Sequence, residues 1–110
     1  MEVWFDGSAD GKRAAWAALA LEDGSKPRLF YGIGRDIPCH LADRWAAQQV
    51  LDKLRERIPG NIRLVSDRQD NICDPVDPHP RLSWMWRPRH HPVIQRLDLV
   101  ANALRRNLPM

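Results

Sequence analysis

Two Asp-Gly pairs, Asp10-Gly11 and Asp23-Gly24, divide the opening third of this 110-residue chain into three apolar runs. Asp-Gly between apolar runs is the strongest short-range hairpin signal, because glycine adopts the left-handed backbone that a tight turn needs. The runs are residues 2 to 8 (EVWFDGS), Arg13 to Leu21, and Leu29 to Ile33 (LFYGI). The middle run is rich in Ala and on propensity alone reads as helix. Its length and the hairpin signals on both sides predict a strand instead. The chain is therefore expected to begin as an antiparallel meander of three strands.

The period then changes. From Cys39 or His40 to Ile58, the residues Ala42, Ala46, Val50 and Leu54 fall on one helical face, and Pro59-Gly60 closes the element. Residues 61 to 66 (NIRLVS) read as a fourth strand, which a helical crossover allows to lie parallel to the first strand and beside it. Pro75, Pro78 and Pro80 leave little room for regular structure between Asp67 and Arg81, so that stretch reads as a loop. A fifth strand, Leu82 to Arg87, alternates Leu82, Trp84 and Trp86 against Ser83, Met85 and Arg87. A last helix from about Ile94 carries Leu97, Ala101 and Leu104. The order is βββαβ, loop, βα, an α/β arrangement with a mixed sheet of five strands.

Length and a hydrophobic content of 44% suit one domain spanning residues 1–110. No apolar run approaches the roughly 18 residues of a membrane span, and the start lacks the pattern of a secretory signal. The expectation is a soluble cytoplasmic protein with no membrane partner. Cys39 and Cys73 have neither a CxxC partner nor a His at ligand spacing, so they read as buried or idle thiols. The formal charge of +3 is compatible with a polyanionic partner, and fourteen Arg stand against three Lys. Guanidinium matches phosphate oxygens with a planar fork, although a compositional bias of the coding genome produces the same excess.

Three acidic positions invite a chemical reading. Asp43 shares a helical face with Ala47, Val50 and Leu54, which aims its carboxylate toward the sheet. Placement near a helix N-terminus accounts for a negative charge there with about 0.3–1 kcal/mol. Asp6 and Asp67, however, lie on strands expected to be adjacent and parallel. Two such charges about 4 Å apart repel by about 4 kcal/mol at an effective dielectric of 20. A divalent cation cancels that repulsion, and magnesium prefers carboxylate and water oxygens.

The segments that carry these residues resemble those of the ribonuclease H family. VWFDGS before a hairpin is similar to the family's first motif, with Asp6 as its aspartate. LADRWAAQQVL resembles the first long helix, with Asp43 at the acidic position, and LVSDRQ resembles the third motif, with Asp67. WMWRPRHHPVIQRLDLVANAL looks like the closing strand, histidine loop and helix, with Asp98 as the fourth carboxylate. The resemblance spans nearly the whole chain.

It implies the ribonuclease H-like fold with strand order 3-2-1-4-5. It also implies an endonuclease that hydrolyses the RNA strand of RNA/DNA hybrids, using two Mg2+ ions, or Mn2+ in their place. Asp6, Asp43, Asp67 and Asp98 would be the metal ligands and catalytic carboxylates, assisted by His90, preferred over His91, as the loop histidine. Gln69 matches a residue that contacts the hybrid, and Arg87, Arg89 and His40 complete the implied substrate contacts. Trp84 and Trp86 read as core before they read as stacking surfaces.

Three departures accompany the likeness. Asp43 stands where Glu is usual, Cys39 and His40 replace a customary Asn pair, and the proline-rich stretch has no room for the family's basic handle helix. They keep two alternatives in view: a nuclease of this fold acting on another nucleic acid, as resolvases, transposases or exonucleases do, and a catalytically silent nucleic-acid-binding or interaction module.

Overall fold

Both Asp-Gly pairs turn the chain in the computed structural model, which describes residues 1–54, 60–69, 71 and 80–109. Gly11 and Gly24 have φ of 93° and 78°. At the first turn, Asp10 Oδ1 accepts the backbone N–H of Lys12 at 3.0 Å and of Arg13 at 2.7 Å, so a side chain supplies part of the turn's hydrogen bonding. The strands β1 (Glu2–Ala9), β2 (Arg13–Leu21) and β3 (Arg28–Arg35) form the meander, with Asp6 opposite Ala17 and Ala17 opposite Tyr31. The helical propensity of β2 is overridden because it is hydrogen-bonded to a strand on each side. Its small residues, Ala14 through Ala18, are buried and let a helix approach either face of the sheet.

A short 3-10 turn (Cys39–Leu41) leads into α1 (Ala42–Leu54), followed by β4 (Ile62–Ser66), β5 (Leu82–Trp86) and α2 (Pro92–Arg106). The sheet order is β3-β2-β1-β4-β5, with β4 parallel to β1 and β5 parallel to β4. The fold read from the sequence is therefore the one observed.

Its boundaries shift slightly. The last helix starts at Pro92 rather than Ile94, because His91 Nδ1 accepts the Val93 N–H at 3.2 Å as an N-cap and proline is tolerated in the first turn. Cys39 is exposed rather than buried. The helix end expected at Ile58 and Pro59, Cys73, and most of the proline-rich stretch lie outside the described residues. Among the described residues no helix is long and apolar enough to cross a membrane.

Each face of the sheet carries one helix. Val3, Phe5, Trp16, Ala18, Ile62 and Leu64 pack under Ala46, Val50 and Leu54 of α1. On the opposite face, Trp4, Ala17 and Val65 pack under Ile94, Leu97 and Ala101 of α2. Trp84 joins the α1 side and meets Phe5 edge-on at 6.4 Å, whereas Trp86 is exposed. The core reading thus holds for the first of these tryptophans and not the second.

Strand β1 and helix α1 touch most closely at Gly7. A Cβ there would collide with the Ala42 carbonyl, so only glycine lets β1 approach the start of α1 to this distance.

Candidate active site

The close approach at Gly7 brings the first turn of α1 onto the end of β1, and the Gly7 N–H donates to Asp43 Oδ1 at 3.1 Å. Parallel pairing of β1 with β4 runs through Trp4 opposite Val65. Carried two residues further, that register sets Asp6 beside Asp67. Oxygen atoms of Asp6, Asp43 and Asp67 all lie within 4.8 Å of one another. Asp98, in the second turn of α2, approaches the Asp6 carboxyl from the other face of the sheet and helps to raise it. Asp6, Asp43 and Asp67 thus meet at one end of the sheet, and Asp98 approaches Asp6 from the face of α2.

Burial and mutual repulsion dominate their electrostatics. Asp6 is 4% exposed. Burial first, then the charge of Asp43, hydrogen bonds from Asp43 and Asp98 and the charge of Asp67, push its carboxyl up to about 10. Asp43 is also raised above the ordinary carboxylate range, mainly by burial and further by Asp67. A hydrogen bond with Asp6, the Gly7 N–H and the charge of Arg68 oppose that shift. With both raised and close together, the pair is expected to hold a shared proton in the metal-free chain.

Asp67 has a divided environment. Its side chain is 3% exposed, and Oδ2 lies 3.4 Å from Arg89 Nε. Oδ1 is buried and accepts no hydrogen bond. An unpartnered buried carboxylate oxygen beside two other carboxyls is costly unless a cation reaches it. The donor set is wholly oxygen, which suits a hard divalent ion such as Mg2+ or Mn2+.

The other residues singled out in the sequence fare differently. Arg89 reaches Asp67 rather than standing free for phosphate. His91 is committed to the cap of α2 and stacks on Trp4 with ring centroids 4.6 Å apart. His90 is exposed in the turn before it. Gln69 and His40 are exposed too, and Arg87 donates from Nη1 to the Trp86 carbonyl at 3.1 Å. Among the described residues no hydrogen bond or ion pair joins His40, Gln69, Arg87 or His90 to the four carboxylates.

Sequence reading missed a polar network that anchors α2. Ser8 Oγ donates to Asn102 Oδ1. Arg105 donates from Nε to Ser8 Oγ at 2.7 Å and from Nη1 to Asp10 Oδ2 at 3.2 Å. Asp10 is held well below its usual range, chiefly by the Arg13 and Lys12 backbone N–H groups. Spacing held a signal: Asn102 and Arg105 lie four and seven residues after Asp98, and Ser8 lies two after Asp6, so each follows a candidate ligand on the same face.

No family model matches the sequence, and a search of curated proteins gives no match. Solved structures do resemble it. RNase H1 from the halophilic archaeon Halobacterium salinarum superposes with a TM-score of 0.70 at 18% identity, over 92% of this chain and 93% of that one. LC11-RNase H1, in complex with an RNA/DNA hybrid, gives 0.64 at 11% identity, over 93% and 94%. A foamy viral protease-reverse transcriptase in complex with dsDNA gives 0.72 at 12% identity, over 97% and 94%. At such identities the likeness is one of fold.

Proposed function

From the premise that this chain has the ribonuclease H-like fold, we propose that it is a metal-dependent nuclease that hydrolyses the RNA strand of RNA/DNA hybrids. The observation that carries the reading is the convergence of Asp6, Asp43 and Asp67 within 4.8 Å, with a buried Asp67 oxygen that no protein group satisfies. A fold hosts many activities, so these residues, and not the fold, bear the weight.

Asp6 is central. It lies beside Asp43, Asp67 and Asp98, so it is the carboxylate that would be shared if two cations were held. Asp43 and Asp67 would complete one site with it, and Asp98 would complete the other. When bound, a pair of divalent ions supplies an activated water, an oriented phosphate and a stabilised leaving oxygen. The residues' own work is to release the proton that Asp6 shares with Asp43 and to hold four carboxylates at fixed positions. Gly7 N–H fixes one Asp43 oxygen and leaves the other to the site.

Arg89 is paired with Asp67 and 80% exposed, so in this reading it exchanges Asp67 for a backbone phosphate. Arg87, Gln69 and His40 are assigned to the flanks of the substrate, and His90 to proton movement at the rim. The hybrid is favoured because a relative of this fold is solved in complex with one. The complex of another with dsDNA keeps a DNA substrate as the second reading.

The test is a cleavage panel of labelled hybrid, double-stranded RNA, duplex DNA and branched DNA, with Mg2+ or Mn2+. Internal cuts confined to the RNA strand of the hybrid support the proposal. Cleavage of DNA substrates alone moves the assignment to the second reading, and no cleavage of any substrate overturns both.

A further inference from the structure

The outer edge of β3 carries an apolar row that nothing among the described residues covers. β3 ends the sheet among the described residues, so its outward N–H and C=O groups have no strand partner there. Leu29, Tyr31 and Ile33 alternate along it on the α2 face and are 51%, 57% and 59% exposed. That row continues into a mostly apolar groove of about 560 Å³ lined by Leu19, Leu29, Val93, Leu97 and Val100, with Arg96 also in its lining. Edge strands are ordinarily guarded by charge, proline or a bulge. From Leu29 to Gly34, β3 has neither charge nor proline, and its pairing with β2 is unbroken.

We propose that this edge is a self-association surface, on which a second copy of the chain adds its own β3 antiparallel with Tyr31 facing Tyr31 across a two-fold axis.

The sequence of the strand favours a copy of itself. A Tyr31-centred register sets Leu29 opposite Ile33 of the partner twice over, so all six apolar side chains meet on one face. On the other face, Phe30 falls opposite the partner's Gly32, over which that copy's own Trp16 ring lies. Beyond the strand ends, Lys26 falls opposite the partner's Asp36, giving one charge pair at each end. Arg28 falls opposite the partner's Gly34, so no like charges confront each other. Arg35 is drawn off the edge by donating from Nη1 to the Pro109 carbonyl. Shifting the centre to Phe30 or Gly32 sets Ile33 against the partner's Pro27, or Leu29 against the partner's Arg35. Only the Tyr31 centre keeps the whole row apolar.

Three side chains per copy bury less than the roughly 1,600 Å² of a standard stable interface, so association should be concentration-dependent, with half-dimerisation in the range of about 10–100 µM. Sedimentation equilibrium of the full chain from about 5 to 500 µM tests it. The expected result is a mass that rises from 12.7 kDa toward twice that value. Ile33→Lys and Tyr31→Lys should each weaken association by more than about tenfold, since each sets a charge into the apolar row. Leu99→Lys, on the exposed side of α2, should leave it unchanged. Circular dichroism checks that every variant folds, and amide exchange along β3 should slow as concentration rises. A wild-type chain that stays monomeric throughout overturns the proposal, as does a dimer indifferent to Ile33→Lys.

Discussion

Arg89 Nε lies 3.4 Å from Asp67 Oδ2, with the guanidinium side chain 80% exposed and the carboxylate side chain 3% exposed. The arginine thus sits where a divalent cation would compete for Asp67. With its guanidinium in solvent the pair is screened, so the contact is readily exchanged. Arg89→Gln should strengthen Mn2+ binding to the nucleic-acid-free protein by up to about fivefold, measured by calorimetry. The same variant should reduce the salt dependence of substrate binding by about one counterion if Arg89 moves to a phosphate. Unchanged metal affinity would show that the two cations do not compete.

The Asp6 carboxyl predicts an unusual pH dependence of stability. Its native value is raised from 3.8 to about 10, mainly by burial and then by Asp43, so the folded chain keeps a proton that the unfolded chain releases. Stability of the metal-free protein is therefore greatest at low pH where this group is concerned, and falls as pH rises through the window between those values. The raised Asp43 acts in the same direction. Melting temperatures in chelator at about pH 5, 7 and 9 should decline for wild type and decline less for Asp6→Asn. Added Mg2+ should stabilise most at the highest pH. A melting temperature that climbs across this range would contradict the shared-proton picture.

Gly7→Ala should disturb fold and site together. The added methyl group would meet the Ala42 carbonyl and force β1 and α1 apart, with a loss of about 1–3 kcal/mol in denaturant unfolding. Because the Gly7 N–H holds Asp43, metal affinity should fall as well. An undisturbed variant would mean that the strand and helix separate more easily than their contact suggests.

Arg105→Met should loosen α2. The guanidinium side chain is 16% exposed and joins Ser8, Asp10 and Asn102, and hydrogen bonds to a charged group are worth about 1.5–3 kcal/mol. A loss of that size is expected on chemical unfolding. Asp98 lies two turns earlier on the same helix face, so the Mg2+ concentration for half-maximal activity should rise too. A purely local role would leave the metal requirement unchanged.

Much of the architecture was legible because its signals are local. Asp10-Gly11 and Asp23-Gly24 announced the two hairpins, and the spacing of Ala42, Ala46, Val50 and Leu54 announced the first helix. The alternation of Leu82, Trp84 and Trp86 announced the last strand. That Asp6, Asp43 and Asp67 lie together could be read from strand pairing and helix phase, whereas Asp98 rested on the family resemblance alone. The start of α2 was misread because it depends on a side-chain cap by His91. The role of Arg89, and the joining of Ser8 to Asn102 and Arg105, could not be read directly, because these partners are far apart in sequence. They meet only after the sheet has brought its two faces together.

If Asp6, Asp43 and Asp67 form a nest for divalent cations, an anomalous difference map from crystals equilibrated with Mn2+ is the most direct measurement of it. A peak within ligand distance of all three carboxylates, lost in Asp67→Asn, is the predicted result. A map with no density between them at saturating Mn2+ would contradict it.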